Sequence, residues 1–133
     1  MIMSYKFSNT SNLRLNTCDK KLIFLMSYAL ASSPVDFMIA CGYRGQKEQE
    51  EAYKSGNSNA KFGQSKHNVY PSKAVDIYPY VNGRMCNGDL KEDYNYINLL
   101  KDHILKCANE LGTQIVWGGH FKKIKDYPHF ELV

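Results

Sequence analysis

The sequence predicts an α+β fold, in which a small antiparallel sheet packs against helices within one domain, residues 1–133. With 133 residues, 44% of them hydrophobic and 23% charged, the chain has the composition of a soluble globular protein with one core. Segments of helical and of strand periodicity are mixed without the regular strand–helix alternation of a parallel sheet. These observations favour helices and short strands that share one core.

The first half of the chain predicts two helices separated by a strand. Residues 19–31 carry apolar side chains at helical spacing, and the Ser-Ser-Pro sequence at 32–34 ends this helix. Residues 35–43 are rich in β-branched and aromatic side chains, which indicates a buried strand in spite of Asp36. Residues 46–54, rich in Glu and Gln, predict a short helix that stops at a Ser-Gly-Asn sequence.

A long loop and a second strand follow. Residues 55–72 are polar and turn-prone, and loops of this length in a compact domain usually carry function. Residues 74–81 predict a strand that ends at an Asn82-Gly83 hairpin turn. Alternation along this strand predicts one face with Ala74, Asp76 and Tyr78 and an opposite face with Val75 and Ile77.

The last third of the chain contains the clearest helix. Residues 94–111 form a continuous apolar stripe at helical spacing, and Gly112 is placed to cap the helix at its end. Residues 114–117 and 129–132 predict short strands on either side of a loop that starts with Gly118-Gly119.

The chain is mildly basic, with a net charge of +4 and a pI near 8.8. The lysines are scattered and form neither an arginine-rich block nor a basic helix face, so we expect no nucleic-acid partner. An anionic polymer such as a cell wall would still be attracted to this surface.

The cysteines and the N-terminus bear on the compartment. The N-terminal Met1–Lys6 segment lacks a charged-then-apolar signal pattern, and the apolar run at residues 22–26 is far too short to span a membrane. We therefore expect no signal peptide and no membrane insertion. Four separate cysteines without a Cys-x-x-Cys pair predict free thiols that bind no zinc: Cys18, Cys41, Cys86 and Cys107.

Two histidines and two aspartates are candidates for metal chemistry. His67, Asp76 and His129 come from three separate segments and could supply three ligands to a catalytic zinc with a fourth position open. Asp126 is then the candidate proton carrier, because the turn at Pro128 could bring it to the same site as His129. Each residue also has an ordinary interpretation. His67 would be a solvated loop histidine, and Asp76 would form a buried salt bridge with a Lys or Arg. Asp126 would be a turn aspartate and His129 a half-buried histidine.

Arg44 and two further histidines are weaker candidates. Arg44 ends a predicted strand, where it could polarise a substrate carbonyl or hold a carboxylate; the alternative is a surface ion pair with Glu48. His103 lies on the polar side of the long helix, which predicts a solvated side chain, and His120 is either a pocket-rim or a loop residue. No His-Glu-x-x-His sequence occurs, which excludes the commonest zinc-protease motif.

Five blocks of sequence carry a resemblance. They are Gly42-Tyr43-Arg44 with Gln49, Ser65-Lys66-His67-Asn68, Pro71-Ser72-x-Ala74-Val75-Asp76, Trp117-Gly118-Gly119, and Asp126-x-Pro128-His129-Phe130-Glu131. In this order they resemble the family of zinc D,D-carboxypeptidases and L-alanyl-D-glutamate endopeptidases, which includes phage endolysins and shares its fold with the Hedgehog signalling domain. The resemblance covers residues 35–133.

The resemblance implies a role for each candidate residue. It makes His67, Asp76 and His129 the zinc ligands, Asp126 the general base and acid, and Arg44 the residue that binds or polarises the substrate carbonyl. It places Ser65 at the cleft, near the substrate, and we expect substrate specificity to come from the loops around Ser65 and His120. The chain departs from the usual pattern in its Pro71-Ser72 spacer and at His120, where most phage members have an acidic residue.

The sequence thus predicts a zinc peptidase that hydrolyses a bond of the peptidoglycan stem, an L-alanyl-D-glutamate endopeptidase of the endolysin type. We expect a monomer that stays in the host cytoplasm until it is released to the cell wall. The alternatives are a D-Ala-D-Ala carboxypeptidase or dipeptidase, and a non-enzymatic, metal-containing module that binds the cell wall. The presence of Asp126 argues against the module, which needs no proton carrier.

Overall fold

The computed structural model describes residues 5–133, so residues 1–4 of the segment inspected for a signal pattern lie outside the described part. Helices and strands are mixed along the chain, as predicted. In order, they are α1 (Asn9–Leu15), α2 (Lys20–Ala31), β1 (Phe37–Cys41), α3 (Gln46–Lys54), β2 (Ala74–Val81), β3 (Arg84–Met85), α4 (Asp93–Leu111), β4 (Ile115–Trp117) and β5 (His129–Leu132). Two 3₁₀ turns, Lys66–Asn68 and Gly118–His120, lie in the loops that precede β2 and β5.

The strands form one antiparallel sheet in the order β1-β2-β5-β4, and β3 pairs with the far end of β2. The hairpin between β2 and β3 turns at Asn82 and Gly83, whose φ angles of 54° and 74° suit the tight turn that the sequence predicts. The order of the strands matters for the site, because it places β2 between β1 and β5.

The hydrophobic core lies on one face of the sheet, under α2 and α4. The predicted alternation along β2 is confirmed, since Val75 and Ile77 join this core. The prediction for His103 is wrong: its Nε2 lies 2.8 Å from the carbonyl oxygen of Ala29 and donates to the last turn of α2. The core residues that α2 and α4 contribute are Leu22, Leu25, Met26, Ala29, Leu30, Ile97, Leu100, Ile104, Cys107 and Ala108.

Helix α1 is not among the elements that the sequence predicts. It begins after Ser8, whose side chain accepts a hydrogen bond from the Ser11 amide, and is only 7 residues long. The Ser11 hydroxyl accepts from the Ile39 amide at 3.1 Å, and Arg14 donates to the Ile39 carbonyl at 3.0 Å. Side chains of α1 therefore satisfy the open edge of β1, which would otherwise offer unpaired backbone groups.

Within the described residues, no helix combines the length and apolar character that a bilayer crossing requires.

Candidate metal centre

Asp76 lies at the centre of the sheet, between two neighbouring strands. Its register partners are Cys41 on β1 and His129 on β5. Side chains directly opposite each other on antiparallel strands share a face and lie close together. The register alone therefore brings Asp76 and His129 together on the face opposite the hydrophobic core.

His67 reaches the same place from the 3₁₀ turn in the long loop. The Ser65 hydroxyl caps this turn by accepting from the His67 amide at 3.1 Å, and the Asn68 side chain accepts from the Ser65 amide at 3.2 Å. Ser65, expected near the substrate, thus positions a candidate ligand through the backbone. Its contact with substrate stays a prediction.

Three donor atoms meet at the centre of the cluster. His67 Nε2 lies 3.1 Å from Asp76 Oδ1 and 3.2 Å from His129 Nδ1, and the third side, from His129 Nδ1 to Asp76 Oδ1, is 3.2 Å. Ligands ~2.0–2.1 Å from a tetrahedral zinc ion lie about 3.3 Å from one another. The triangle therefore has the size that three ligands of one small metal ion require.

The outer nitrogen of each imidazole determines what the inner one can do. His67 Nδ1 donates to the Gly42 carbonyl oxygen at 2.7 Å, and His129 Nε2 donates to Glu131 Oε1 at 2.8 Å. In the neutral rings, both inner nitrogens then carry a lone pair, as Asp76 Oδ1 does. Three lone pairs that converge without a cation repel one another, so the cluster requires either protons or a metal ion.

The pKa values reflect this requirement. Burial alone would lower the pKa of His67, but Asp76 and Cys41 raise it to about 10. Burial would also lower the pKa of His129, but Asp76 and Glu131 raise it to about 9. Burial would raise the pKa of Asp76, and the two imidazoles hold it well below its usual range. The site thus attracts positive charge, and a divalent ion can replace the two protons.

Two overlapping groups in the described residues have the composition of metal sites, Cys41 with His67 and Asp76, and Asp76 with Asp126 and His129. Cys41 Sγ lies near the outer nitrogen of His67, 3.9 Å from the Nδ1 that donates to the Gly42 carbonyl. It is a free thiol, as are the other three cysteines. That no cysteine binds the metal stays a prediction, which this orientation supports.

Arg44 lies beside the triangle, as the sequence predicts, but its partners differ from the proposed alternative. In the described part of the chain it pairs with Asp76, at 3.5 Å from Nη2 to Oδ2, and not with Glu48. Its Nη1 donates to Gln49 Oε1 at 3.0 Å, and the fully buried Gln49 also accepts from Asn68. Gln49 therefore links the guanidinium to the loop that carries His67.

Asp126 approaches the cluster from the turn that enters β5. Its Oδ2 lies 3.7 Å from His129 Nδ1, and its side chain is 47% exposed, so solvent reaches it. The partial burial of the carboxylate, and next the charge of Asp76, raise the pKa of Asp126 above its usual value. A carboxylate with raised proton affinity beside a metal site is suited to exchange protons with a reacting water.

Gly118 explains why Asp126 can come so close. A Cβ at Gly118 would lie 2.2 Å from the Asp126 carbonyl oxygen and 2.9 Å from the Cβ of His129. The Gly118 carbonyl in turn accepts from the Asp126 amide at 3.0 Å, and the Trp117 indole donates to Tyr127 O at 2.7 Å. The Trp-Gly-Gly block thus holds the turn of the candidate proton carrier.

His120 stays outside the cluster. Its ring is exposed and lies edge-on against Trp117, with 5.0 Å between the ring centroids. In the described residues, no hydrogen bond joins its side chain to the triangle. A rim position is consistent with the predicted substrate contact, which stays a prediction.

Three residues around the triangle were not predicted from the sequence to have a role: Gln49, Lys66 and Glu131. A signal for Glu131 was available, because residues 129 and 131 of one strand share a face. Gln49 lies five residues after Arg44, its partner, but a polar residue on a short helix gave no sign of burial. The partners of Lys66 lie more than sixty residues along the chain, and only the fold identifies them.

Comparison with known proteins agrees with the geometry. A family model described as phage L-alanyl-D-glutamate peptidase matches residues 3–133. The peptidoglycan L-alanyl-D-glutamate endopeptidase CwlK of Bacillus subtilis (strain 168) is 33% identical over 114 residues, 79% of this chain and 65% of that protein. The L-alanyl-D-glutamate peptidase of Escherichia phage T5 is 30% identical over 130 residues, 98% of this chain and 90% of that protein.

A crystal structure, the L-Ala D-Glu endopeptidase ChiX of Serratia marcescens, has a TM-score of 0.80 and 27% identity, covering 98% of this chain and 91% of that one. The chain belongs to the phage L-alanyl-D-glutamate peptidase family. The predicted resemblance, the α+β fold and the class of peptidoglycan peptidase are confirmed.

Proposed function

We propose that this member of the family is an L-alanyl-D-glutamate endopeptidase of the peptidoglycan stem, with one zinc ion held by His67, Asp76 and His129. The observation that carries the proposal is the triangle of three lone pairs with sides of 3.1–3.2 Å. Nitrogen and carboxylate ligands in tetrahedral spacing, with no fourth protein ligand required, are typical of a catalytic zinc site. The oxygen-rich sites of magnesium and calcium, which have about six to eight ligands, do not fit this set.

Asp126 and Arg44 perform the protein's part of the reaction. Bound zinc would supply Lewis-acid chemistry, lowering the pKa of a water molecule toward ~7 and polarising the scissile carbonyl. The Asp126 carboxylate takes the proton of the attacking water and then delivers it to the departing amine of D-glutamate. The Arg44 guanidinium, oriented by Gln49, donates to the carbonyl oxygen as negative charge develops on it.

The choice of bond follows the relatives. CwlK, the phage T5 enzyme and ChiX are all named for the bond between L-alanine and D-glutamate. This favours the endopeptidase over the D-Ala-D-Ala carboxypeptidase, and the proximity of Asp126 to the triangle favours an enzyme over a binding module.

The test is digestion of purified peptidoglycan, followed by mass spectrometry of the new termini. We expect a free L-Ala carboxylate and a new D-Glu amine, no cleavage by H129A, and about one zinc per chain by elemental analysis in the wild type. Released D-Ala would contradict the proposed bond. Full zinc content in the H67A/D76A/H129A variant would contradict the ligand set.

We propose that the protein works as a monomer of a single domain and reaches the wall from the host cytoplasm. Membership in a phage peptidase family supports the route to the wall, and light scattering of the purified protein checks the oligomeric state.

A further inference from the structure

We propose that Glu131 and Lys66 form a positioning pair that orients His129 and thereby strengthens metal binding; this inference rests on the proposed metal site. His129 Nε2 lies 2.8 Å from Glu131 Oε1, and Glu131 Oε2 lies 3.2 Å from Lys66 Nζ. A hydrogen bond and an ion pair thus join the three side chains in series, from a cation at the surface to a candidate ligand at the centre.

The His129–Glu131 hydrogen bond is largely shielded from solvent. The side chain of His129 is 6% exposed and that of Glu131 is 19% exposed, so water competes little for the bond between them. Residues 129 and 131 lie on the same face of β5, and a strand geometry holds them at a constant separation. The imidazole therefore has one orientation in which both ring nitrogens are satisfied.

Glu131 acts on the ligand through the proton of its outer nitrogen. As long as Nε2–H donates to the carboxylate, the lone pair stays on Nδ1, the nitrogen that faces Asp76 and His67. A carboxylate that accepts this hydrogen bond also makes the imidazole a more basic metal ligand than a neutral acceptor does. His67 has a neutral acceptor at the equivalent place, the Gly42 carbonyl, so the two histidines are tuned differently.

Lys66 adds a link between the two elements that carry ligands. It precedes His67 on the 3₁₀ turn, and its Nζ donates to the Leu132 carbonyl as well as pairing with Glu131. The pair therefore ties the turn of His67 to the strand of His129. Because Lys66 is 42% exposed, we expect its part to be smaller than that of Glu131.

The experiment compares zinc affinity, measured by competition with a chelator, among E131A, E131Q, K66M and the wild type. Loss of such an outer partner typically weakens metal binding ~10–100-fold. We expect a loss of this size in E131A, a smaller one in E131Q, which keeps an acceptor for Nε2–H, and the smallest in K66M. The visible spectrum of the cobalt-substituted protein should shift in E131A and E131Q.

The matched control is E110Q, the same chemical change on an exposed residue of α4, which packs on the opposite face of the sheet. It should bind zinc and cobalt as the wild type does. A lower melting temperature of metal-free E131A with unchanged zinc affinity and cobalt spectrum would overturn the positioning role. If the wild type itself fails to bind zinc, the proposed metal site is wrong, which is a separate result.

Discussion

At the scale of single residues, Asp126 differs from the other carboxylates of the site. Asp76 and Glu131 each have close imidazole partners that lower their pKa values. Asp126 has the longer 3.7 Å contact, and burial raises its pKa. The environments of Asp76 and Asp126 shift their pKa values in opposite directions. The two carboxylates are therefore suited to different tasks, Asp76 to metal ligation and Asp126 to proton transfer.

We therefore expect D126N to keep the fold and about one zinc per chain while hydrolysis falls by ~10²–10⁴-fold, the usual contribution of general acid–base catalysis. The measurement is the rate of release of new amines from peptidoglycan, together with elemental analysis. D102N, the same change on a side chain that is 71% exposed, is the control and should act as the wild type does. Wild-type rates in D126N would refute the assignment.

At the scale of elements, the site depends on the close approach of two loops to the sheet. The 3₁₀ turn Gly118–His120 lies against the turn that leads into β5, and that contact has no room for a side chain at Gly118. The glycine is thus required by packing, since its φ is not in the left-handed region.

G118A should displace the turn of Asp126, destabilise the protein by ~1–3 kcal/mol as overpacking does, and reduce hydrolysis. G45A is the matched control, because the nearest atom to its Cβ would be a carboxylate oxygen of Glu48, at 3.0 Å, which can move. Urea unfolding and peptidoglycan digestion measure the two effects. An unchanged G118A would mean that the turn is held in some other way.

At the scale of the whole molecule, the three candidate ligands join distant parts of the chain. His67 belongs to the long loop, Asp76 to the central strand and His129 to the last strand. A cation at their centre, whether protons or metal, therefore stabilises the global fold and not one segment alone.

Without metal, this stability should depend on pH. The folded pKa values of His67 and His129, about 10 and about 9, exceed their usual value of 6.5. Their contribution is then complete below pH 6.5 and is lost as pH rises through about 9 to 10. A metal ion replaces those protons, so zinc-loaded protein should lose little stability over this range.

The measurement is urea unfolding of chelator-treated and zinc-loaded protein at ~pH 6.5, ~8 and ~10. Zinc should raise stability most at the highest pH, because there it no longer displaces protons. H129A should weaken the pH dependence of the metal-free protein. Equal stability of metal-free wild type at all three values would argue against the charged cluster.

Most of the secondary structure could be predicted from the sequence, because the signals for helices, strands and turns are local. The periods of α2, α3 and α4, the alternation along β2 and the Asn82-Gly83 turn are properties of neighbouring residues, and all are confirmed. Helix α1 was missed because 7 residues are too few to show a helical period. The motifs also supplied the family, since their order along the chain is itself a sequence property.

Local sequence signals did not determine which side chains meet. They left Asp76 between a salt bridge and a metal site, and the family resemblance is what assigned it to one site with His67 and His129. The register that sets Asp76 opposite His129 comes from pairing of strands far apart in the chain. The same holds for His103 on the carbonyl of Ala29 and for Lys66 beside Glu131. Local periodicity gives the face on which a residue lies, whereas its partner depends on sheet register and loop closure between residues tens of positions apart.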